Sequence, residues 1–404
     1  MKSALCAAAA LAALVPAVLA CSRADNQTAS APPAAGGGAP AQTASAPPAS
    51  APGPAGAAQP GAGGPQALVA QINGATFAPV SESTGAGGNA TGGNATGGNA
   101  TGASTGAGAA SDAPQSMLIK AQVLLARADA SPGVIDGQDG SNFKHAVAAY
   151  AAMNGLDDEN GELTQEVWGR LTAGAPGPVA ATYAITPQDV AGPYFPDVGE
   201  DMVKMSQLQH VGYSRPTEML SERFHMSEDT LKALNPGADF GKAGTVIVIA
   251  QTGPIDLPKV DHIQVDKAHA AVRAYDKSDK MIAFMPATVG ATDRPSPTGT
   301  HKVNGVAHDP TYTYDPSKLT WGPKSHGKFI VPSGPNNPVG VVWIDLNAPS
   351  YGLHGTPDPK EIGKTASHGC VRMTNWDALQ LSRAVKPGVV VTFINSRAGA
   401  KSST

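Results

Sequence analysis

The spacing of apolar residues changes along the chain, and each change marks a different kind of element. In 117–171, Leu118, Ile119, Val123, Leu124 and Leu125 recur at about the 3.6-residue helical period. Val147, Ala148, Tyr150 and Met153 repeat it in a second helix. Pro132-Gly133-Val134-Ile135-Asp136-Gly137 between them is a turn-rich loop. Gly155-Leu156 ends the second helix, and Thr164 is placed to cap a third that runs through Val167 and Trp168. In 204–250 the order becomes strand, helix, helix, strand: 210–213, 217–224, 227–234 with a break at Asn235-Pro236-Gly237, then 245–249. From Lys259 the residues alternate as strands do, in 263–265, 271–275, 281–289, 339–346 and 389–394. Residues 276–280 form a hairpin-length connection, and a single helix is expected at 375–385. Many short strands with one helix predict a mainly-β sandwich or closed barrel, preceded by a small three-helix bundle and a smaller α+β module.

Composition separates these segments from the N-terminal quarter. Residues 22–115 are mostly Ala, Gly, Pro, Ser, Thr and Asn, too poor in large apolar side chains to offset the entropy of folding, and read as a long disordered linker. The unit Gly-Gly-Asn-Ala-Thr begins at Gly87, Gly92 and Gly97; its Asn-Ala-Thr triplets match a glycosylation sequon, but a repeated flexible linker is the plainer reading. Its apolar island, Ala67-Leu68-Val69-Ala70-Gln71-Ile72, is too short to form a core alone. Lys2 followed by the apolar run from Leu5 to Leu19 has the layout of an export signal and is short for a membrane-spanning helix. Val18-Leu19-Ala20-Cys21-Ser22 reads as a lipobox with Cys21 as the lipidated residue, although the same Val-Leu-Ala also satisfies ordinary signal cleavage. The expected organisation is a signal at 1–21, linker 22–115, helical domain 116–175, α+β module 203–251, β domain 259–396 and tail 397–404. A net charge of -4 provides no basic field, so nucleic acid is not an expected partner.

The candidate chemistry centres on Cys370, the only cysteine beyond residue 21. An exported chain with one remaining thiol cannot use it for an internal disulfide, which leaves a structural residue, an intermolecular link or a nucleophile. Two nearby histidines, His354 and His368, favour the nucleophile, because a thiolate needs a base or positive charge beside it. His301, His308 and His326 show no metal-ligand spacing such as His-Glu-x-x-His, so no metal and no other cofactor is expected. Trp321 and Trp343 read as core residues, with a place for Trp321 along a substrate groove.

The runs Tyr351-Gly352-Leu353-His354-Gly355-Thr356 and Ser367-His368-Gly369-Cys370-Val371-Arg372-Met373, with ten residues between Thr356 and Ser367, resemble the motif of the L,D-transpeptidases. These are cysteine enzymes that rework bacterial peptidoglycan. The resemblance implies Cys370 as nucleophile toward the carbonyl before the terminal D-alanine of a tetrapeptide stem. His354 would be proton acceptor and donor, and the Gly355 carbonyl would orient its ring. His368 would support the thiolate, and amides near Gly369 and Cys370 would hold the oxyanion. Arg372, Ser367, Thr356 and Tyr351 would form the substrate-binding side. The implied partners are peptidoglycan stems and glycan strands, with a lipoprotein lysine among the acyl acceptors left open. By the same kind of resemblance, 116–175 is similar to a peptidoglycan-binding three-helix module. Residues 203–251 are similar to a LysM domain, with Arg215-Pro216-Thr217-Glu218 in place of that family's Gly-Asp-Thr-Leu. Ser22 after the lipidated cysteine implies a periplasmic protein anchored in the outer-membrane leaflet rather than the inner. The alternatives are a non-catalytic wall-anchoring lipoprotein, an L,D-carboxypeptidase that uses water as acceptor, and a zinc hydrolase.

Overall fold

In the computed structural model, which describes residues 64–78, 113–158, 160–175, 177–254, 256–292, 294–317, 326–367 and 369–395, the first helix lies where none was expected. Helix α1 (Pro65–Gly74) falls inside the span read as linker. The island around Ile72 is indeed too short for a core of its own, but it docks on one already present, and Ile72 is fully buried. Burying such a side chain contributes about 1.5–3 kcal/mol. Cys6, Cys21, Trp321, His368 and the Gly-Gly-Asn-Ala-Thr repeats lie outside the described residues.

The helical period of 117–171 becomes α2 (Ala113–Arg127), α3 (Ser141–Asn154) and α4 (Gln165–Gly174). Gly155, at φ 66°, ends α3 in the left-handed conformation that glycine adopts without strain. The Thr164 hydroxyl accepts the Val167 amide at 3.2 Å and caps α4. These helices do not close a core among themselves. Leu125, Phe143, Val147 and Leu171 share one apolar cluster with Ile185, Leu220, Leu231, Ile247 and Val248 of the following segment.

That segment contains β1 (Ala180–Ala184), α5 (Pro187–Ala191), α6 (Met202–Met205), α7 (Pro216–Arg223), α8 (Glu228–Ala233) and β2 (Val246–Ala250). The two expected helices and the closing strand are present as α7, α8 and β2, but 210–213 forms no strand, and β1 lies before the expected module with four helices between it and β2. Strand β1 pairs antiparallel with β2, from Ala180 opposite Ala250 to Ala184 opposite Val246. The 210–213 stretch is instead held by the loop after a later hairpin, with the Val211 amide donating to the Ser333 carbonyl at 2.9 Å.

Residues from 259 onward build the β domain. Its strands are β3 (His262–Asp266), β4 (Ala271–Tyr275), β5 (Met281–Pro286), β6 (Gly299–His308), β7 (Tyr312–Tyr314), β8 (Phe329–Val331), β9 (Val342–Leu346), β10 (Gly352–His354), β11 (Val371–Arg372) and β12 (Val390–Ile394), with α9 (Asn375–Ala384) between the last two. Among the described residues, eight strands form one sheet in the order β11-β10-β9-β6-β12-β3-β4-β5. Neighbours are antiparallel except β10 with β11 and β12 with β3. The sheet curls, because the chain leaving edge strand β5 reaches the opposite edge. Thr288 and Arg372 exchange backbone hydrogen bonds at 2.8 and 2.9 Å, and Ser367 donates to the Val289 carbonyl at 2.8 Å. Val265, Val272, Met285, Ile344, Leu353, Val371, Leu381 and Val391 fill the interior.

Helix α9 is held from both sides. The sheet packs against one face, and the N-terminal segments supply partners to the other. Ser131 Oγ donates to Asp377 Oδ2 at 3.0 Å, and Gln380 Nε2 donates to Asp129 Oδ1 at 2.9 Å. The His225 ring stacks on Trp376 at 4.7 Å.

Candidate active site

Strand pairing brings the two halves of the cysteine motif together. In the parallel β10–β11 register Leu353 lies opposite Val371 and His354 opposite Arg372. Alternation sends Leu353 and Val371 into the core, where both are buried, and turns His354 and Arg372 to the other face. One residue back, Cys370 falls opposite Gly352 on that same face, about 7 Å along the strands from His354.

The loop before Cys370 is tied at several points. Ser367 Oγ donates to the Cys370 carbonyl at 2.5 Å and accepts the Gly369 amide at 3.1 Å. Gly369 has φ 117°, outside the range of other residues, and a Cβ there would meet the Tyr351 ring at 2.9 Å. Ser296, almost fully buried, donates to the Gly369 carbonyl at 2.8 Å and accepts the Gly290 amide at 2.8 Å. The Cys370 sulfur donates to the Ser350 carbonyl at 3.6 Å. Ser350 holds φ 69°, a strained value for a residue with a Cβ.

His354 is buried, and its Nδ1 lies 2.7 Å from the Gly355 carbonyl. A carbonyl only accepts, so Nδ1 carries the hydrogen and Nε2 is left as the basic nitrogen. The Trp343 ring stacks on the imidazole at 5.4 Å, which makes Trp343 a wall of the site. Burial brings the His354 value down to about 4, opposed by its contact with the Gly355 carbonyl and assisted by the nearby Arg372 charge. Burial pushes the Cys370 thiol up, and the Gly352 amide aimed at the sulfur pulls it back. Both shifts favour the neutral forms, a thiol and an unprotonated imidazole on one face of the paired strands.

The other expected site residues fall around this pair. Arg372 donates through Nη2 to Thr365 Oγ1 at 3.3 Å and to the Ala366 carbonyl at 3.2 Å. Its Nε is buried with no hydrogen-bond partner among the described residues. Tyr351 packs on Gly369 and reaches the Pro295 carbonyl at 3.5 Å. Thr356 is buried, and its hydroxyl accepts the Asp358 amide at 3.2 Å. Gly369 has its amide committed to Ser367, which leaves the Cys370 amide as the candidate oxyanion donor of that pair.

Some residues at the site gave no signal in the sequence reading. Burial pushes the Tyr312 phenol up to about 12, and the Cys370 charge adds to the rise. Asn375 occupies the space under Gly340 and Gly355, where a Cβ on either would overlap its side-chain oxygen. Ser296 precedes the Pro297-Thr298-Gly299-Thr300 run, so a polar residue in a turn-rich stretch was the available hint. Among the described residues no group of three or more His, Cys, Asp or Glu side chains could hold a metal ion.

A histidine on β10 and a cysteine directly before the adjoining β11 of a curled sheet form the candidate site for nucleophilic chemistry. The pattern of the L,D-transpeptidase catalytic domain (YkuD) matches residues 260–392. The "Probable L,D-transpeptidase YbiS" of Escherichia coli K12 is 30% identical over 210 residues, 50% of this chain and 67% of that protein. The "Putative L,D-transpeptidase YkuD" of Bacillus licheniformis is 27% identical over 182 residues, 44% of this chain and 92% of that protein. A solved L,D-transpeptidase from Mycobacterium smegmatis overlays with a TM-score of 0.27 and 16% identity, covering 37% of this chain and 66% of that one, a likeness too partial to carry weight. The chain belongs to the L,D-transpeptidase family of enzymes.

Proposed function

We propose that this chain transfers the tripeptidyl group of peptidoglycan tetrapeptide stems through a thioester on Cys370. The observation that carries the reading is the His354 tautomer: Nδ1 is committed to the Gly355 carbonyl, and Nε2 remains basic on the face shared with Cys370. In the first step the thiol proton passes to Nε2 as sulfur attacks the carbonyl before the terminal D-alanine. The developing oxyanion is met by the Cys370 amide. The bond to D-alanine then breaks, and its amine leaves with the proton held by His354. In the second step an amine of a neighbouring stem attacks the thioester, gives its proton to His354, and the sulfur recovers it on release.

The thiol needs no prior ionisation in this scheme. Gly352 and Ser350 meet the sulfur from the segment leading into His354, so the nucleophile is positioned before its proton moves. Arg372, with an unsatisfied buried Nε, is suited to a stem carboxylate, and Tyr351 to the peptide backbone. Ser367 and Thr356, whose hydroxyls are turned to the loop backbone, serve by holding those residues in place. His368 is assigned the support of the thiolate on the sequence motif alone.

The segments before residue 259 are proposed to bind the wall, the helical one as a peptidoglycan-binding module and the next as a LysM-like module. The N-terminus is proposed to be exported and lipid-anchored through Cys21, holding the enzyme in the periplasm against the outer membrane. Purified protein incubated with disaccharide-tetrapeptides should form cross-linked dimers that persist in EDTA and vanish in Cys370→Ala. Loss with EDTA, or dimers from Cys370→Ala, would overturn the cysteine mechanism.

A further inference from the structure

We propose that Glu222, acting through Asn375, is a positioning residue for His354, which makes helix α7 a part of the catalytic apparatus. The inference rests on the reading of His354 as the base. It starts from the close approach beneath that residue. Gly355 carries the carbonyl that fixes the imidazole, and its own amide donates to the Val342 carbonyl at 3.2 Å. Under this turn sits the buried side chain of Asn375, the first residue of α9. Its Oδ1 is wedged between Gly340 and Gly355 and accepts the Val341 amide at 3.2 Å.

The orientation of that amide decides whether the turn is held. If the Asn375 amide flipped, its NH₂ would face the Val341 N–H, donor against donor, and would crowd the Gly355 turn. The other end of the side chain prevents this. Nδ2 has two hydrogens and donates to the Pro335 carbonyl at 3.2 Å and to Glu222 Oε1 at 3.0 Å. Glu222 stands on α7, more than 150 residues earlier in the chain, and the same oxygen accepts the Tyr213 hydroxyl at 3.1 Å. Without that acceptor one buried N–H of Asn375 is orphaned, and the orientation is held by the Pro335 carbonyl and the Val341 amide alone.

The part required of Glu222 is that of an acceptor, not of a charge. Burial pushes its carboxyl up to about 7, opposed by the Asn375 and Tyr213 hydrogen bonds and joined by the Glu218 charge. One oxygen accepts both bonds whether or not the other carries a proton. A glutamine carbonyl at the same place can do the same, whereas a leucine of similar size cannot.

The test uses the full chain and measures acylation of Cys370 by imipenem, a strained acyl donor, followed by intact mass over time. Glu222→Leu should lower the acylation rate at saturating imipenem by about tenfold, with half-saturation unchanged, because a base is misplaced and a binding surface is not. Glu222→Gln should stay within about threefold of wild type, the scatter expected for a retained hydrogen bond. Asn375→Asp should also slow acylation, since two carboxyls then face each other. Adding Glu222→Gln should recover part of that loss, because the glutamine amide can donate to the new carboxylate. A folded Glu222→Leu with wild-type rate, or a Glu222→Gln as slow as Glu222→Leu, overturns the proposal. If Glu222→Leu does not fold, absence of recovery in the Asn375→Asp/Glu222→Gln pair overturns it. A wild-type protein that is not labelled at Cys370, or a His354→Ala variant labelled at the wild-type rate, overturns instead the underlying reading of the site and this inference with it.

Discussion

Replacing Gly355 by alanine tests how tightly the imidazole is held. The backbone of Gly355 is not in the left-handed region, so a Cβ brings no conformational strain and its whole effect is spatial. That Cβ would overlap Asn375 Oδ1 and would also lie 3.2 Å from Asn375 Cγ and 3.4 Å from its Cα. Relief requires the turn and the asparagine to part by roughly 1 Å, since carbon and oxygen cannot approach much inside ordinary contact. If the turn moves, the Gly355 carbonyl takes the His354 ring with it. A displacement of that size costs about 10²-fold in rate, close to 2.7 kcal/mol in barrier. If Asn375 moves instead, the Val341 amide loses its acceptor, at about 1–3 kcal/mol of stability. Both outcomes are read by stopped-flow acylation with a β-lactam, alongside a urea denaturation curve. Asn375→Ala in the Gly355→Ala background should restore part of the rate by opening the space. A Gly355→Ala enzyme with wild-type acylation rate and wild-type stability would refute the reasoning, because neither partner would then have needed its position.

Other expected outcomes follow from single features. Gly369→Ala should lose stability by about 2 kcal/mol or more and lose acylation, because φ 117° and the Tyr351 ring at 2.9 Å both exclude a Cβ; a stable, active variant would contradict this. Burial pushes Asp377 up to about 7, so the folded state keeps a proton that the unfolded chain releases near pH 4. Stability from this group is therefore present at low pH and lost as pH rises through about 7, and Asp377→Asn should flatten the fall of Tm between pH 5 and 8 by removing that difference. An unchanged slope would show that the carboxyl is not desolvated as described. Ile72→Ala should cost about 2–4 kcal/mol in urea denaturation if α1 is part of the folded unit, whereas a change under about 0.5 kcal/mol would return it to the linker.

The β domain was legible where burial imposes alternation. Strands β3, β4 and β12 fall within a residue or two of the expected runs, β9 starts later in its run, and alternate residues of these strands line the interior. Strand β6 was missed because most of its ten residues are exposed or half-exposed, so no apolar period marks it. Strand β1 was missed because alanine and threonine carry little signal, while its partner β2 was evident from Val246-Ile247-Val248-Ile249. The candidate nucleophile and base could be read from the motif because the pairing of the neighbouring strands β10 and β11 is encoded as a short stretch around each. Nothing within the helix expected at 375–385 marked Asn375, Trp376, Asp377 and Gln380; their partners Glu222, His225, Ser131 and Asp129 lie more than a hundred residues away, and no local pattern can reveal such pairs. The same long-range packing explains why the helical segment and the segment after it share one core rather than standing as separate modules.

The central claim is that acyl transfer passes through a thioester on Cys370 with His354 moving the proton. It is tested most directly by mixing the protein with a tetrapeptide stem in the absence of an amine acceptor, quenching in acid and mapping the modified peptide by mass spectrometry. The account predicts a tripeptidyl adduct on Cys370, D-alanine released in equal amount, and a rate lowered by about 10² or more in His354→Ala. D-alanine released by Cys370→Ala, or an adduct on any other residue, would contradict it.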